Sequence, residues 1–288
     1  MSVRDLLKDA RAQCEAANIA RIDAELILAH VLGTDRMQLH AIAFDVTAQH
    51  LETFQDLLAE RISGVPVQYL IGEAPFRYLT FDVGPGVLIP RPETELLVDA
   101  ALVEIERIQS SVGYKVGSPT SVIDLGSGSG AIAISIADEA RNRGLKTLVV
   151  AVEKEEAALR WLKQNIAKHD VDVRVVEGDL SQLLLGVRAD IVVANPPYIP
   201  ESVSLPDLVL KYEPREALFG GDLLGLEAPK RFIDGAKRML KAGGLLVLEH
   251  FETHSDPLER YLHDDFFEIL HFTDLNTRPR WITARRKG

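Results

Sequence analysis

Asn195-Pro196-Pro197-Tyr198 is the stretch of this chain best suited to chemistry. An Asn side-chain oxygen and a proline carbonyl accept hydrogen bonds with no competing N–H beside them, so together they suit both hydrogens of an incoming –NH2 group. The Tyr198 ring adds a surface that can stack on a planar amide or base, or lie near a cation. Two consecutive prolines fix φ and remove two backbone donors, so neither a central strand nor a helix continues through them. Asn195 precedes a proline, which biases it towards an extended backbone. Alone, the tetrapeptide is equally compatible with a proline-rich loop following a strand.

A second group of residues lies upstream. Ser121 to Leu125 is a short apolar run followed by Gly126-Ser127-Gly128-Ser129-Gly130, and a helix is expected from about Ala131 to Arg141. Glycines at such a strand-to-helix turn let the backbone approach a ligand and present N–H donors at a helix start. Gly126, Gly128 and Ala131 also satisfy the dinucleotide pattern, so the turn by itself does not choose between cofactors. Asp124 favours a nucleoside carrying a positive amino group over a pyrophosphate. A strand from Thr147 to Val152 ends at Glu153, an acid able to accept from both ribose hydroxyls, a requirement shared by NAD and S-adenosylmethionine. A helix from about Glu156 to Lys168 leads to a strand from Val171 to Val176. There Asp179 can accept from an adenine amino group and Leu180 can pack on its face. Each acid alone reads as a solvated loop residue; their recurrence at the ends of successive strands points to one ligand.

The elements that must position these groups follow from periodicity. Ala189 to Ala194, with β-branched Ile191, Val192 and Val193, reads as a strand buried on both faces, which sets Asn195 at its carboxyl end. Open α/β sheets bind ligands at such ends. Tyr212-Glu213-Pro214 and Gly220 to Gly225 read as a long loop, Leu226 to Leu240 as a helix, and Leu245 to Glu249 as another buried strand. Phe266 to Phe272 and Trp281 to Ala284 are expected as last strands, in a hairpin-like antiparallel addition. His250, Glu252 and His254 lack the H-E-x-x-H arrangement and a third ligand, so no metal is expected. Glu249 suits either positioning a loop or a structural hydrogen bond.

Val3 to Ile71 is helical in pattern. Val3, Leu6, Leu7, Ala10 and Cys14 share one face; Ile27, Leu28 and Val31 belong to a second helix that Gly33 terminates. Thr34 is expected to cap a short third helix. Thr47 is expected to cap a fourth that Gly64 and Pro66 stop. Phe76 to Val83 reads as a hairpin, and Pro92 with its flanking acids as a helix start. The expected division is a helical, substrate-docking domain over 1–71, a β-hairpin linker over 72–90 and a catalytic domain over 91–288.

Composition narrows the class. The chain has 288 residues, 47% of them hydrophobic, and a net charge of −11. The acidic balance argues against a long nucleic acid as the main partner, because phosphate affinity is carried by Lys and Arg. The segment from Val3 to Ile71 shares it, with six Lys and Arg against ten Asp and Glu. A single cysteine, Cys14, leaves no internal disulfide or Cys-based zinc site and reads as core. Neither a membrane span nor an export signal is expected, and the expected location is cytoplasmic. Arg278, Arg280, Arg285, Arg286 and Lys287 read as a solvated basic tail.

Asp124 to Gly130 followed by Asn195 to Tyr198 resembles the class I S-adenosylmethionine methyltransferases that modify planar amino or amide nitrogens. With Leu88-Ile89-Pro90-Arg91-Pro92-Glu93-Thr94-Glu95, the Tyr212-Glu213-Pro214 loop and the helical N-terminus, nearly the whole chain resembles the HemK/PrmC-type protein-(glutamine-N5) methyltransferases. The resemblance implies an α/β fold with a Rossmann-like seven-stranded sheet of order 3-2-1-4-5-7-6. It implies S-adenosyl-L-methionine as cofactor and, as substrate, the Gln of the Gly-Gly-Gln loop of class 1 peptide-chain release factors. By position, Gly126, Ser127, Gly128, Ser129, Gly130, Glu153, Asp179, Leu180 and Asn195 line the cofactor side. Asn195, Pro196, Pro197 and Tyr198 hold the glutamine, with Asn195 catalytic. Glu153 stands where the family commonly has Asp, and Phe251 where it often has Gly. The rival readings are an adenine-N6 or other nucleic-acid amino methyltransferase, a ribosomal-protein glutamine methyltransferase, and a dinucleotide-dependent oxidoreductase. The last leaves Asn195 to Tyr198 unexplained.

Overall fold

The computed structural model describes residues 2–41, 45–179 and 188–288. It divides into two compact units: Met1–Glu73 with Val83–Pro85 and Pro206–Tyr212, and Ala74–Asp82 with Gly86–Leu205 and Glu213–Gly288.

In the first unit, α1 (Val3–Ala16), α2 (Arg21–Val31), α3 (Ala48–Ile62) and α4 (Val67–Ile71) enclose a core containing Leu7, Cys14, Ile27, Leu28, Phe54 and Leu58. Burial raises the pKa of the Cys14 thiol above its ordinary value, which suits a core side chain. Thr47 caps α3, its hydroxyl accepting from the His50 N–H at 3.2 Å. Arg61 donates to Asp23 at 2.7 Å, so the buried acid of α2 is paired with α3. Two local expectations are corrected. Thr34 caps nothing: it donates to Gln38 Oε1, and Gln38–His40 is a single 3-10 turn with Met37 at its start. The stretch before Glu213 is not loop, because Asp207–Tyr212 forms a short helix, α5, within this unit. Gly64, at φ +108°, permits that helix's close approach, since a Cβ there would meet Leu208 Cδ2 at 2.1 Å.

The second unit is built on seven strands in the order β5-β4-β3-β6-β7-β9-β8. These are β3 (Thr120–Leu125), β4 (Thr147–Glu153), β5 (Val173–Glu177), β6 (Ala189–Ala194), β7 (Leu240–Glu249), β8 (Phe266–Thr273) and β9 (Pro279–Arg286). Counted within the sheet, this is the 3-2-1-4-5-7-6 order that the resemblance implies. Strands β3 to β7 are parallel and β9 runs antiparallel to β7 and β8. Among the described residues, this unit's α-helices are α6 (Glu95–Gln109), α7 (Ala131–Asn142), α8 (Glu156–His169), α9 (Glu227–Met239) and α10 (Ser255–Leu262). The β-branched and leucine content explains the arrangement: Ile123, Val150, Val192, Leu246 and Ile282 share one buried cluster with Ile233, Met239 and Leu258.

Register aligns the functional ends. Leu125 pairs with Val152 and with Ala194, and Ala194 pairs with Leu248. The next residues on these four strands are Gly126, Glu153, Asn195 and Glu249, so they stand side by side at the carboxyl edge. A hairpin of β1 (Glu73–Phe76) and β2 (Leu79–Asp82) precedes the sheet. Its turn is anchored by Arg77, which donates twice to Glu139 at 2.7 and 2.8 Å. The basic C-terminus is not a solvated tail. Arg285 pairs with Glu104 and Glu268, Arg286 donates to the Asp265 carbonyl and Lys287 to the His263 carbonyl. These cations fasten β9 to its surroundings.

Candidate active site

The turn after β3 carries left-handed backbone at three glycines, with φ of 71° at Gly126, 56° at Gly128 and 87° at Gly130. Non-glycine residues rarely adopt it. At Gly126 a Cβ would also meet the Phe232 ring at 3.0 Å, and at Gly130 it would meet Leu162 Cδ1 at 2.6 Å. Asp124 lies behind this turn, fully buried, with Oδ2 accepting from the Ala133 N–H at 3.2 Å. Among the described residues its Oδ1 has no hydrogen-bond partner. Burial pushes its carboxyl up to about 7.

A cavity of about 540 Å³ opens at this edge. Gly126, Ser127, Gly128 and Ser129 form one wall, with Glu153 and Asp179 along the next strand ends. Asn195, Pro197, Thr94 and Arg91 are also on its wall. Glu153 is turned against the backbone: Oε2 accepts from Gly128 N–H at 2.8 Å, and Oε1 from Lys154 and Glu155 N–H at 2.7 and 2.9 Å. It thereby braces the glycine turn, and a carboxylate with about four acceptor sites retains capacity for one more donor. Asp179 pairs with Arg231 at 3.3 Å. Gly130 starts α7 and lies outside this wall. Leu180 lies outside the described residues.

Asn195 directly follows β6 and its Nδ2 donates to Thr94 Oγ1 at 3.0 Å. Thr94 donates in turn to Glu249 Oε2 at 2.7 Å, and the Tyr198 hydroxyl donates to Glu249 Oε1 at 2.8 Å. Glu249 is fully buried, and burial raises its carboxyl to about 6 despite these donors and nearby Arg280. The Tyr198 phenol is raised as well, first by burial and then by the neighbouring Glu249 carboxylate. Pro196 is buried, and the Tyr198 ring packs beside Phe251, with centroids 6.5 Å apart. Thus Phe251, where the family often has glycine, supports the aromatic ring of the tetrapeptide.

The loop over 218–225 holds the tetrapeptide from outside. The Tyr198 and Ile199 N–H groups donate to the Leu218 carbonyl at 3.2 and 2.9 Å, and Gly220 N–H donates back to Ile199 at 3.0 Å. Gly225 permits the approach, since a Cβ there would meet the Tyr198 carbonyl oxygen at 2.3 Å. A second brace is Glu213, buried, which accepts from Arg91 at 2.5 Å and from the Ile89 N–H at 3.3 Å.

Sequence reasoning assigned no site role to Thr94, although it lies within the segment that carries the resemblance. The signal available was a hydroxyl residue at the start of a helix, which reads as an ordinary cap. Here its side chain makes no cap bond and turns to Asn195 and Glu249 instead. His250 and His254 each engage a backbone carbonyl, of Phe251 at 2.8 Å and Leu224 at 2.7 Å.

The sheet order, the glycine turn after its first strand in sequence and the acids at the next two strand ends define a class I S-adenosylmethionine-dependent methyltransferase. Residues 5–72 match the PrmC N-terminal domain and residues 108–211 the methyltransferase small domain. A release factor glutamine methyltransferase of Mycolicibacterium smegmatis is 38% identical over 290 residues, covering 99% of this chain and 98% of that protein. One of Xylella fastidiosa is 38% identical over 277 residues, covering 94% of each. The chain belongs to the release factor glutamine methyltransferase family. Among solved structures, a Thermus thermophilus 16S rRNA N2 G1207 methyltransferase in complex with AdoMet and guanosine superposes with a TM-score of 0.51 at 21% identity, over 75% of this chain and 50% of that one. That likeness concerns the fold. Among the described residues, no helix is long and apolar enough to cross a membrane.

The cavity suits the cofactor of this class. Its volume is that of an ordinary small-molecule site. Its glycine wall lets backbone approach a ligand, and the two acids on its wall, Glu153 and Asp179, are acceptors of the kind a donor-rich nucleoside requires.

Proposed function

We propose that this protein transfers a methyl group from S-adenosylmethionine to the side-chain amide nitrogen, N5, of the glutamine in the Gly-Gly-Gln loop of class 1 peptide-chain release factors, in the cytoplasm. The observation that carries the reading is the Asn195 amide at the carboxyl end of β6, on the wall of the cavity beside the glycine turn. In this reading Gly126, Ser127, Gly128, Ser129 and Gly130 form the cofactor turn. Glu153 takes the ribose, and Asp179 and Leu180 the adenine. S-adenosylmethionine, when bound, supplies an electrophilic methyl group on a sulfonium.

A primary amide nitrogen is a poor nucleophile because its lone pair is delocalised into the carbonyl. Asn195 Oδ1 and the Pro196 carbonyl accept its two hydrogens, which draws both N–H bonds to one side and eases pyramidalisation. Pro197 and Tyr198 confine the side chain that carries it. Orientation of this kind supplies up to roughly 7–11 kcal/mol in well-aligned cases. No strong general base is needed before transfer, because the proton can leave afterwards to water. The division of labour is a helical docking domain over 1–71, a hairpin linker over 72–90 and a catalytic domain over 91–288.

The test is incubation with labelled S-adenosylmethionine and purified release factor, a Gly-Gly-Gln→Gly-Gly-Ala control, and separate RNA and DNA samples. Label is expected in the release factor alone, and only with the glutamine present. Label in nucleic acid, or label that survives the Gln substitution, overturns the reading.

A further inference from the structure

We propose that Thr94 and Glu249 are positioning residues that fix which way the Asn195 amide faces, and through it make the site select a glutamine amide over a glutamate carboxylate. The inference rests on the reading of Asn195 as acceptor for the substrate amide.

Hydrogen-bond polarity sets the orientation. Thr94 Oγ1 stands 2.7 Å from Glu249 Oε2 and 3.0 Å from Asn195 Nδ2. A hydroxyl has one hydrogen, and an ionised carboxylate can only accept, so the Thr94 hydrogen is committed to Glu249. The hydroxyl oxygen can then only accept on its Asn195 side. The one donor group of the Asn195 side chain is Nδ2, which must therefore face Thr94, leaving Oδ1 to the other side. The two orientations of an Asn side chain are nearly isosteric, and packing alone scarcely distinguishes them. The charge at Glu249 does.

Glu249 is suited to this in a way that a neutral residue is not. Its second oxygen accepts from the Tyr198 hydroxyl at 2.8 Å, so both oxygens face donors. A glutamine there would present its –NH2 to one of them. Were that partner Thr94, the hydroxyl would be free to donate to Asn195 Oδ1 and the amide would turn over. Glu249 and Thr94 are 0% and 4% exposed, so water does not substitute for either group. The three residues come from separate parts of the chain: Asn195 follows β6, Glu249 ends β7, and Thr94 closes the turn before α6. Burying a carboxylate is costly, and the return proposed here is a polarity that a neutral network does not impose.

Orientation sets selectivity. Oδ1 facing the cavity accepts from –NH2 and repels a carboxylate, whereas a turned amide would donate to a carboxylate. A site with loosened orientation would lose turnover and admit the wrong side chain together.

The test compares wild type, Thr94→Ser, Thr94→Val and Glu249→Gln on purified release factor. Four quantities are measured: kcat, KM, cofactor Kd by calorimetry, and the inhibition constant of a release factor carrying Gly-Gly-Glu. Thr94→Val and Glu249→Gln are expected to lower kcat by about 10- to 100-fold, the worth of one hydrogen bond to a charged group. Cofactor Kd should stay within about threefold, below the roughly tenfold that 1.4 kcal/mol represents. The Gly-Gly-Glu protein should inhibit these two variants more tightly than wild type. Thr94→Ser, which keeps the hydroxyl, should retain most of kcat and the wild-type discrimination. Circular dichroism identifies a variant that fails to fold, and the folded one of the pair decides. Wild-type kcat and unchanged Gly-Gly-Glu inhibition in a folded Thr94→Val or Glu249→Gln overturn the inference, as does loss of discrimination in Thr94→Ser. Failure of wild type to methylate the release factor instead overturns the underlying reading, so the two failures are distinct.

Discussion

Tyr198 and Glu249, which end neighbouring segments of the sheet edge, are joined by a 2.8 Å hydrogen bond from the phenol to the buried carboxylate. The bond links the aromatic end of the tetrapeptide to the next strand and leaves the ring held against Phe251. Removing the hydroxyl leaves Glu249 Oε1 without that donor in a site closed to water. Tyr198→Phe is therefore expected to lower the unfolding free energy by about 1–3 kcal/mol. A several-fold fall in kcat should accompany it. Urea denaturation and steady-state kinetics check both, and an unchanged stability would show that Oε1 finds another donor.

Glu249 also predicts a pH dependence. Burial lifts its carboxyl to about 6, with Glu93 lifting it further and Thr94, Tyr198 and Arg280 acting in the other direction. Below that value one oxygen gains a hydrogen and the donor order of the Thr94–Asn195 relay is no longer imposed. Turnover should thus fall as pH drops through about 6. Stability runs the opposite way. A carboxyl raised on folding contributes most below its unfolded value, near 4.5, and that contribution is lost as pH rises through about 6. A kcat profile between pH 5 and 8 is the check, and Glu249→Gln should abolish this limb.

Asp124 makes the larger claim on stability. Its carboxyl is raised by burial from 3.8 to about 7, so the fold carries an ionised, partly unsatisfied group at higher pH. Asp124→Asn should stabilise the apoprotein above pH 7, where the wild-type carboxyl is ionised, and the advantage should vanish near pH 4. Denaturation series at both pH values decide it. Equal stability of the two proteins at pH 8 would show that Asp124 finds a partner the buried geometry does not reveal.

Much of this site is legible in the sequence because it depends on local patterns. Ile191 to Val193 announce a buried strand, Pro196 and Pro197 end it, and three glycines mark the turn after β3. Strand ends at Glu153 and Glu249 follow from apolar runs that stop at acids. What the sequence does not carry is contact across 155 residues: Thr94 looks like a cap because its partners, Asn195 and Glu249, come from strands much later in the chain. The same holds for the C-terminal cations. Arg285 reads as solvated until β9 inserts between β7 and β8 and brings it to Glu104. The helix at Asp207–Tyr212 was hidden for another reason: six residues between Pro206 and Glu213-Pro214 are too few to establish a helical period.

The most direct measurement of the central claim is single-turnover methyl transfer to purified release factor by Asn195→Ala, with cofactor affinity measured on the same sample. Loss of the acceptor should reduce transfer by at least about 100-fold, within the range orientation commands, while cofactor binding remains measurable. Transfer at a rate close to wild type would contradict the account, because it would mean that the substrate amide is oriented without Asn195.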